Sequence, residues 1–140
     1  MKKNVVLSIC GKQSYADQEP ELIELVTEGT LEKLENGWEI LYNESRLTGM
    51  EGVITSFLID RDKIILTRSG SLKSQMVFTL GEPHDSLYQV PFGALMITVC
   101  ATKIGINLTE QGGTVDLEYR IEIEQSSAGV IDYHLSIRPA

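Results

Sequence analysis

At 140 residues, with 42% apolar and 23% charged side chains, the chain has the length of one domain and a composition that argues against disorder. Its net charge of −8 is spread over interleaved acidic and basic positions, with no run of Lys or Arg beyond Lys2-Lys3. No nucleic-acid or membrane partner is expected from such a surface, which leaves small molecules and other proteins.

The first predicted element is a strand, Val5 to Gln13, in which Val5, Leu7 and Ile9 alternate with Val6, Ser8 and Cys10. Its apolar run is shorter than the roughly 7–15 residues of a secretory signal core, and Ile9 is too large for a cleavage site, so a cytoplasmic location is expected. Glu19-Pro20-Glu21 followed by Leu22 to Leu34 resembles a helix with proline in its first turn. However, Ile23, Leu25, Thr27, Gly29 and Leu31 share one strand face opposite Glu24, Glu28 and Glu32. Thr27, Gly29 and Thr30 would also weaken a helix interior, so a long strand is predicted.

Further strands are predicted at Trp38 to Glu44, Val53 to Asp60, Ile64 to Ser69, Gln75 to Leu80 and Leu95 to Leu108. Turn residues separate them, among them Glu35-Asn36-Gly37, Gly49 to Gly52, Asp60-Arg61-Asp62 and Gln111-Gly112-Gly113. The clearest alternation comes last. Val115, Leu117, Tyr119, Ile121 and Ile123 lie on one face, with Asp116, Glu118, Arg120, Glu122 and Glu124 on the other. Ile131, Tyr133, Leu135 and Ile137 repeat the pattern after a predicted turn at Gln125 to Gly129. Charge pairing favours a hairpin register with Ile121 opposite Ile131 and Arg120 opposite Asp132.

Short strands with turns about every ten residues predict an all-β fold, a single antiparallel up-and-down β-barrel occupying residues 1–140. Nine such strands would bring the first and last together in parallel. Either one lies outside the barrel or Leu87 to Val90 adds a tenth. In an up-and-down barrel, three apolar stripes end in polar residues at the same rim: Val5-Leu7-Ile9 toward Gln13, Trp38-Ile40-Tyr42 toward Glu44, and Ile64-Leu66 toward Arg68. Such ends can be polar simply because they meet water. The functional alternative is that Gln13, Tyr42, Glu44 and Arg68 orient an amphipathic ligand whose tail enters the barrel. Tyr119 and Tyr133, mid-face among aliphatic residues, are core residues or cavity lining.

Several segments carry a family resemblance: Leu66-Thr67-Arg68-Ser69-Gly70, Met76-Val77-Phe78 with Gly81, and Tyr88-Gln89-Val90-Pro91-Phe92-Gly93. Gly11-Lys12-Gln13 and Thr27-Glu28-Gly29 fit the same pattern. In order and spacing the chain resembles the YwiB-like bacterial proteins over nearly its whole length, with Val90 where that pattern has threonine. The resemblance implies a calycin-like or lipocalin-like barrel and implies no activity.

No nucleotide-binding, zinc-protease or nucleophile-elbow motif is present, and no cofactor or metal is expected. Asp60 and Asp62 flank a turn and are read as backbone caps rather than cation ligands. His84, in a turn, and His134, on a wet strand face, are read as solvated. Cys10 and Cys100 lack cationic sequence neighbours that would activate a thiol. The expected function is therefore non-enzymatic binding of a small apolar or amphipathic molecule, in a cavity of roughly a few hundred Å³. The alternative is a protein-interaction or self-associating module, possible as a homodimer, because Val53 to Asp60 and Leu95 to Leu108 are apolar on both faces.

Overall fold

A computed structural model describes residues 2–14, 19–44, 51–61, 63–124 and 126–140. Asp62, Gly49 and Met50 of the Gly49 to Gly52 turn, and Gln125 lie outside the described residues. Ten strands form: β1 (Lys2–Ser14), β2 (Glu21–Lys33), β3 (Gly37–Asn43), β4 (Ile54–Asp60), β5 (Lys63–Ser69), β6 (Ser74–Phe78), β7 (Pro83–Val90), β8 (Gly93–Thr109), β9 (Gly112–Ile123) and β10 (Ser126–Pro139). Each pairs antiparallel with its sequence neighbour except β6 and β7, and β1 pairs antiparallel with β10. The tenth strand, β7, is what makes the first and last strands antiparallel. The segment Leu22 to Leu34 is strand as predicted, since β2 pairs with β1 over twelve residues.

The result is an all-β, nearly closed barrel. Its remaining seam lies between β6 and β7, where Lys73 and Gln89 exchange two backbone hydrogen bonds of 2.9 and 2.8 Å. Gly81 N donates to Ala101 O at 2.9 Å, and Ser86 Oγ donates to Gln75 O. β6 ends at Phe78, two residues short of the predicted strand, and Leu80 is exposed. His84 lies in β7 rather than in a turn; its Nε2 is 4.0 Å from Glu82 and has no hydrogen-bond partner among the described residues. No helix among the described residues is long and apolar enough to cross a membrane.

Alternating residues fill the interior. Leu7, Ile40, Ile64, Leu66, Phe78, Val99 and Leu135 are fully buried. Aromatic rings occupy the middle: Phe78 lies 4.5 Å from Tyr119, and Tyr133 stands 6.4 Å from both Tyr119 and Phe57. Gly29 lets β2 approach β3, since a Cβ there would fall 2.4 Å from Leu41 O.

Two local irregularities overturn expectations. The β9–β10 register pairs Tyr119 with Ile131 and Leu117 with Tyr133, two residues away from the charge-based prediction. Ser126 pairs with Ile123, so the reversal is tighter than Gln125 to Gly129, and a bulge between Ser127 and Gly129 then resets the register. Glu118 thereby faces Asp132 on the wet outer surface. The second irregularity is in β8, where the register shifts between Ala101 and Lys103. Ile97, Val99 and Ala101 point inward before the shift, and Ile104, Ile106 and Leu108 pack on the core after it. The apolar residues on both faces of β8 from Ile97 onward are thus explained by a change of face and do not by themselves imply an interface.

Candidate functional site

At one end of the barrel the inward stripe of β1 runs from Ile9 through Gly11 to Gln13, and that of β5 ends at Arg68. β3 delivers Tyr42, and Glu44 follows it, fixed by a 2.8 Å hydrogen bond from its amide to Val53 O. β2 adds Glu21, Ile23 and Leu25, and β10 adds Ile131 and Tyr133. Together they line a pocket of about 90 Å³. Gly11 keeps this space open: a Cβ there would fall 3.3 Å from Cε1 of Tyr133, its partner on β10.

The structure brings Gln13, Tyr42, Glu44, Arg68 and Tyr133 around this one pocket. Tyr119 lies beneath it, 2% exposed, with its ring stacked against Tyr133. The pocket is smaller than the few hundred Å³ expected, because the aromatic cluster fills the barrel below it. Trp38, a convenient fluorescent reporter in principle, sits toward the opposite end under Lys33, about 13 Å along β3 from Tyr42.

The polar chemistry of the interior is concentrated here. Glu44, Thr55, Arg68 and Ser74 are the four buried polar or charged residues among those described. Strand register sets Tyr42 opposite Thr55, Thr55 opposite Arg68, and Arg68 opposite Ser74. Thr55 Oγ1 donates to Glu44 Oε2 at 2.5 Å, and the Tyr42 phenol hydrogen-bonds the same carboxylate. Arg68 Nη2 donates to Tyr133 Oη at 3.4 Å. Arg68 Nε and Ser74 Oγ are buried without a hydrogen-bond partner among the described residues. The sequence reading missed Thr55 and Ser74. Each lies on the inward face of its strand, so parity alone would have placed them.

Burial, and then the neighbouring Glu44 charge, push the Tyr42 phenol well above the usual tyrosine range, with Arg68 partly opposing. Burial does the same to Tyr119, helped by Tyr133 and again partly opposed by Arg68. For Arg68, burial works against the charge, but the phenol oxygens of Tyr133, Tyr119 and Tyr42 more than offset it, so the guanidinium stays charged. Tyr42 and Tyr119 thus stay protonated in the folded protein where unfolded tyrosines ionise, and unfolding releases protons. Stability should fall as pH rises above about 10, by about 1.4 kcal/mol per pH unit for each tyrosine. Tyr42→Phe should roughly halve that part of the slope in denaturant titrations between about pH 10 and 12; an unchanged slope would contradict the assignment.

Register places Glu24, Cys10, His134 and Asp116 side by side on the outer face of β2, β1, β10 and β9. His134 Nδ1 is 2.5 Å from Asp116 Oδ1, with the two side chains 52% and 42% exposed. Strand pairing therefore gives Cys10 a histidine neighbour that sequence adjacency does not, but the row stands on an open convex face. No group of three or more His, Cys, Asp or Glu residues suited to a metal ion occurs among the described residues.

Comparison with known proteins adds family and fold. A family model described as Domain of unknown function (DUF1934) matches residues 7–137. The structure titled "Crystal structure of ywiB protein from Bacillus subtilis" superposes with a TM-score of 0.87 at 19% identity, covering 99% of this chain and 93% of that one. The resemblance carried by Leu66–Gly70 and Tyr88–Gly93 is thereby supported at the level of family and fold. No curated protein matches.

Proposed function

Because the chain belongs to the DUF1934 family, whose description assigns no activity, we propose a function from the rim pocket alone. The protein is a non-enzymatic, cytoplasmic binding protein for a small amphipathic molecule. It holds that molecule at one end of its barrel, as calycins do, without metal or cofactor. The observation that carries this reading is Arg68, 8% exposed beside an apolar-walled pocket and with its Nε unmatched among the described residues. Burying a guanidinium costs several kcal/mol unless its donors are satisfied, and such a cost is commonly retained where a ligand supplies the acceptor. Ile9, Ile23, Leu25 and Ile131 provide the apolar wall. Binding is favoured over catalysis because the lining holds no Ser, Cys or His among the described residues, and because Tyr42 is pushed away from ionisation. The net charge of −8 keeps nucleic acid and anionic membranes out of this reading.

Native mass spectrometry of the purified protein against fatty acids, aromatic acids, amines, amino acids and sugars tests the reading. One class should be retained at one-to-one stoichiometry by the wild type. If no class binds at submillimolar concentration, the reading fails.

A second reading, self-association, is favoured by the β7–β8 hairpin. Phe92 at its tip is 91% exposed, and Leu87, Leu95 and Met96 near it are each more than 40% exposed. Light scattering on a size-exclusion column should then give twice the monomer mass, reverting to one with Phe92→Ser. A strict monomer at high protein concentration would remove this reading.

A further inference from the structure

We infer that two copies of this chain join through the open edge of β8 at Ala94, strand against strand across a twofold axis. This rests on the self-association reading above and narrows it. Strand register supplies the first observation. β8 starts at Gly93, but its pairing with β9 starts only at Ile97, opposite Ile123. On its other side β8 is paired with β7 from the outset, Gly93 opposite Val90 and Met96 opposite Leu87. These residues form a two-stranded arm that projects past the end of β9.

Backbone direction identifies the groups the arm leaves open. Met96 O accepts from Glu124 N at 2.9 Å, and Met96 N donates to Glu124 Oε1 at 3.0 Å, so both point to the β9 side. Alternate residues of an antiparallel strand send their backbone groups the same way, so those of Ala94 point there too. No strand lies beside Ala94 on that side among the described residues. Proteins blunt such edges with lysine, an inward charge or a bulge, and Gly93 to Ile97 has none of these.

Charge selects the occupant. The seventeen residues from Ser86 to Thr102 carry no charge, whereas no other uncharged run exceeds eight residues. A second copy brings the same net charge of −8, and the arm lets two copies meet without setting carboxylate against carboxylate. Glu124, beside the edge, is engaged by Met96 N. With the axis at Ala94, each Ala94 N–H donates to the other copy's Ala94 C=O. Phe92 then comes opposite Met96 of the partner subunit. The joint covers Phe92, Met96 and Leu87, all exposed in the single copy. Phe92 alone offers on the order of 200 Å², a quarter of the ~800 Å² each partner gives in a standard interface. Such a twofold contact is complete at two copies.

The test is light scattering of the full chain on a size-exclusion column, over a series of protein concentrations. The wild type should form a dimer, and Ala94→Pro, which removes the donor, should weaken it by about tenfold or more. In a Cys10→Ser/Cys100→Ser background, Ala94→Cys should oxidise to a disulfide-linked dimer. Thr98→Cys, four residues along β8, should not. If Ala94→Pro does not fold, the pair of cysteine variants decides. A wild-type dimer that Ala94→Pro leaves unchanged overturns the edge pairing but leaves self-association standing. The same holds if Thr98→Cys cross-links as readily as Ala94→Cys. A strict monomer at high concentration removes both, and its sedimentation with phosphatidylcholine vesicles would assign the arm to a lipid surface instead.

Discussion

Phe78→Ala is expected to cost about 3–5 kcal/mol, from a total stability on the order of 5–15 kcal/mol. Phe78 is 0% exposed, and its ring lies 4.5 Å from that of Tyr119 on β9. It is the last residue of β6, the five-residue strand bordering the seam, so its ring ties an edge of the sheet to the far wall. Truncation removes this contact and leaves a void that the close-packed interior can only partly collapse into. The midpoint of thermal unfolding should drop by on the order of 10–15 °C. Phe92→Ala, at a site 91% exposed, should change stability by no more than about 0.5 kcal/mol. If Phe78→Ala cost less than about 1 kcal/mol in urea titrations, the barrel interior would be looser than described.

Arg68→Met should separate stability from binding. Among the described residues the guanidinium has one side-chain hydrogen bond, to Tyr133 at 3.4 Å, and its Nε has none. Few of its donors are hydrogen-bonded among the described residues, so a flexible apolar side chain of similar length should cost far less stability than Phe78→Ala. Glu44 keeps its bonds from Thr55 and Tyr42 in the variant. Ligand affinity should fall by roughly 30-fold or more, the usual effect of removing one side of a buried charged contact. Calorimetric titration and urea unfolding of the same preparation measure both effects. A stability loss as large as that of Phe78→Ala would make Arg68 a structural residue and remove its role as an anchor.

The stripes ending at Gln13, Glu44 and Arg68 were legible in the sequence because two-residue alternation fixes both the face of each side chain and the end of the barrel it reaches. The conversion of Leu22 to Leu34 from apparent helix to strand was legible for the same reason. β7 was obscured because its exposed and half-buried residues give little apolar alternation, and Pro83 reads as a turn. The β9–β10 register was misjudged because cross-strand charge was weighted above packing. Glu118 and Asp132 face each other in water, where repulsion is weak, while the bulge at 127–129 and the pairing of β10 with β1 fix the register. The change of face in β8 depends on one extra residue, Thr102, which nothing in local composition announces. Pocket depth was not legible either, since it depends on how four aromatic rings meet across the barrel.

The two closures of the ring are unequal. β1 and β10 are zipped over ten residue pairs, while β6 and β7 meet through a few isolated bridges. Breathing of the native state should therefore begin at that lightly stitched side, next to the strand that carries Arg68. A guest too wide for the resting mouth would find its lowest-cost entry there, by spreading β5 and β6 outward rather than prising apart β1 and β10.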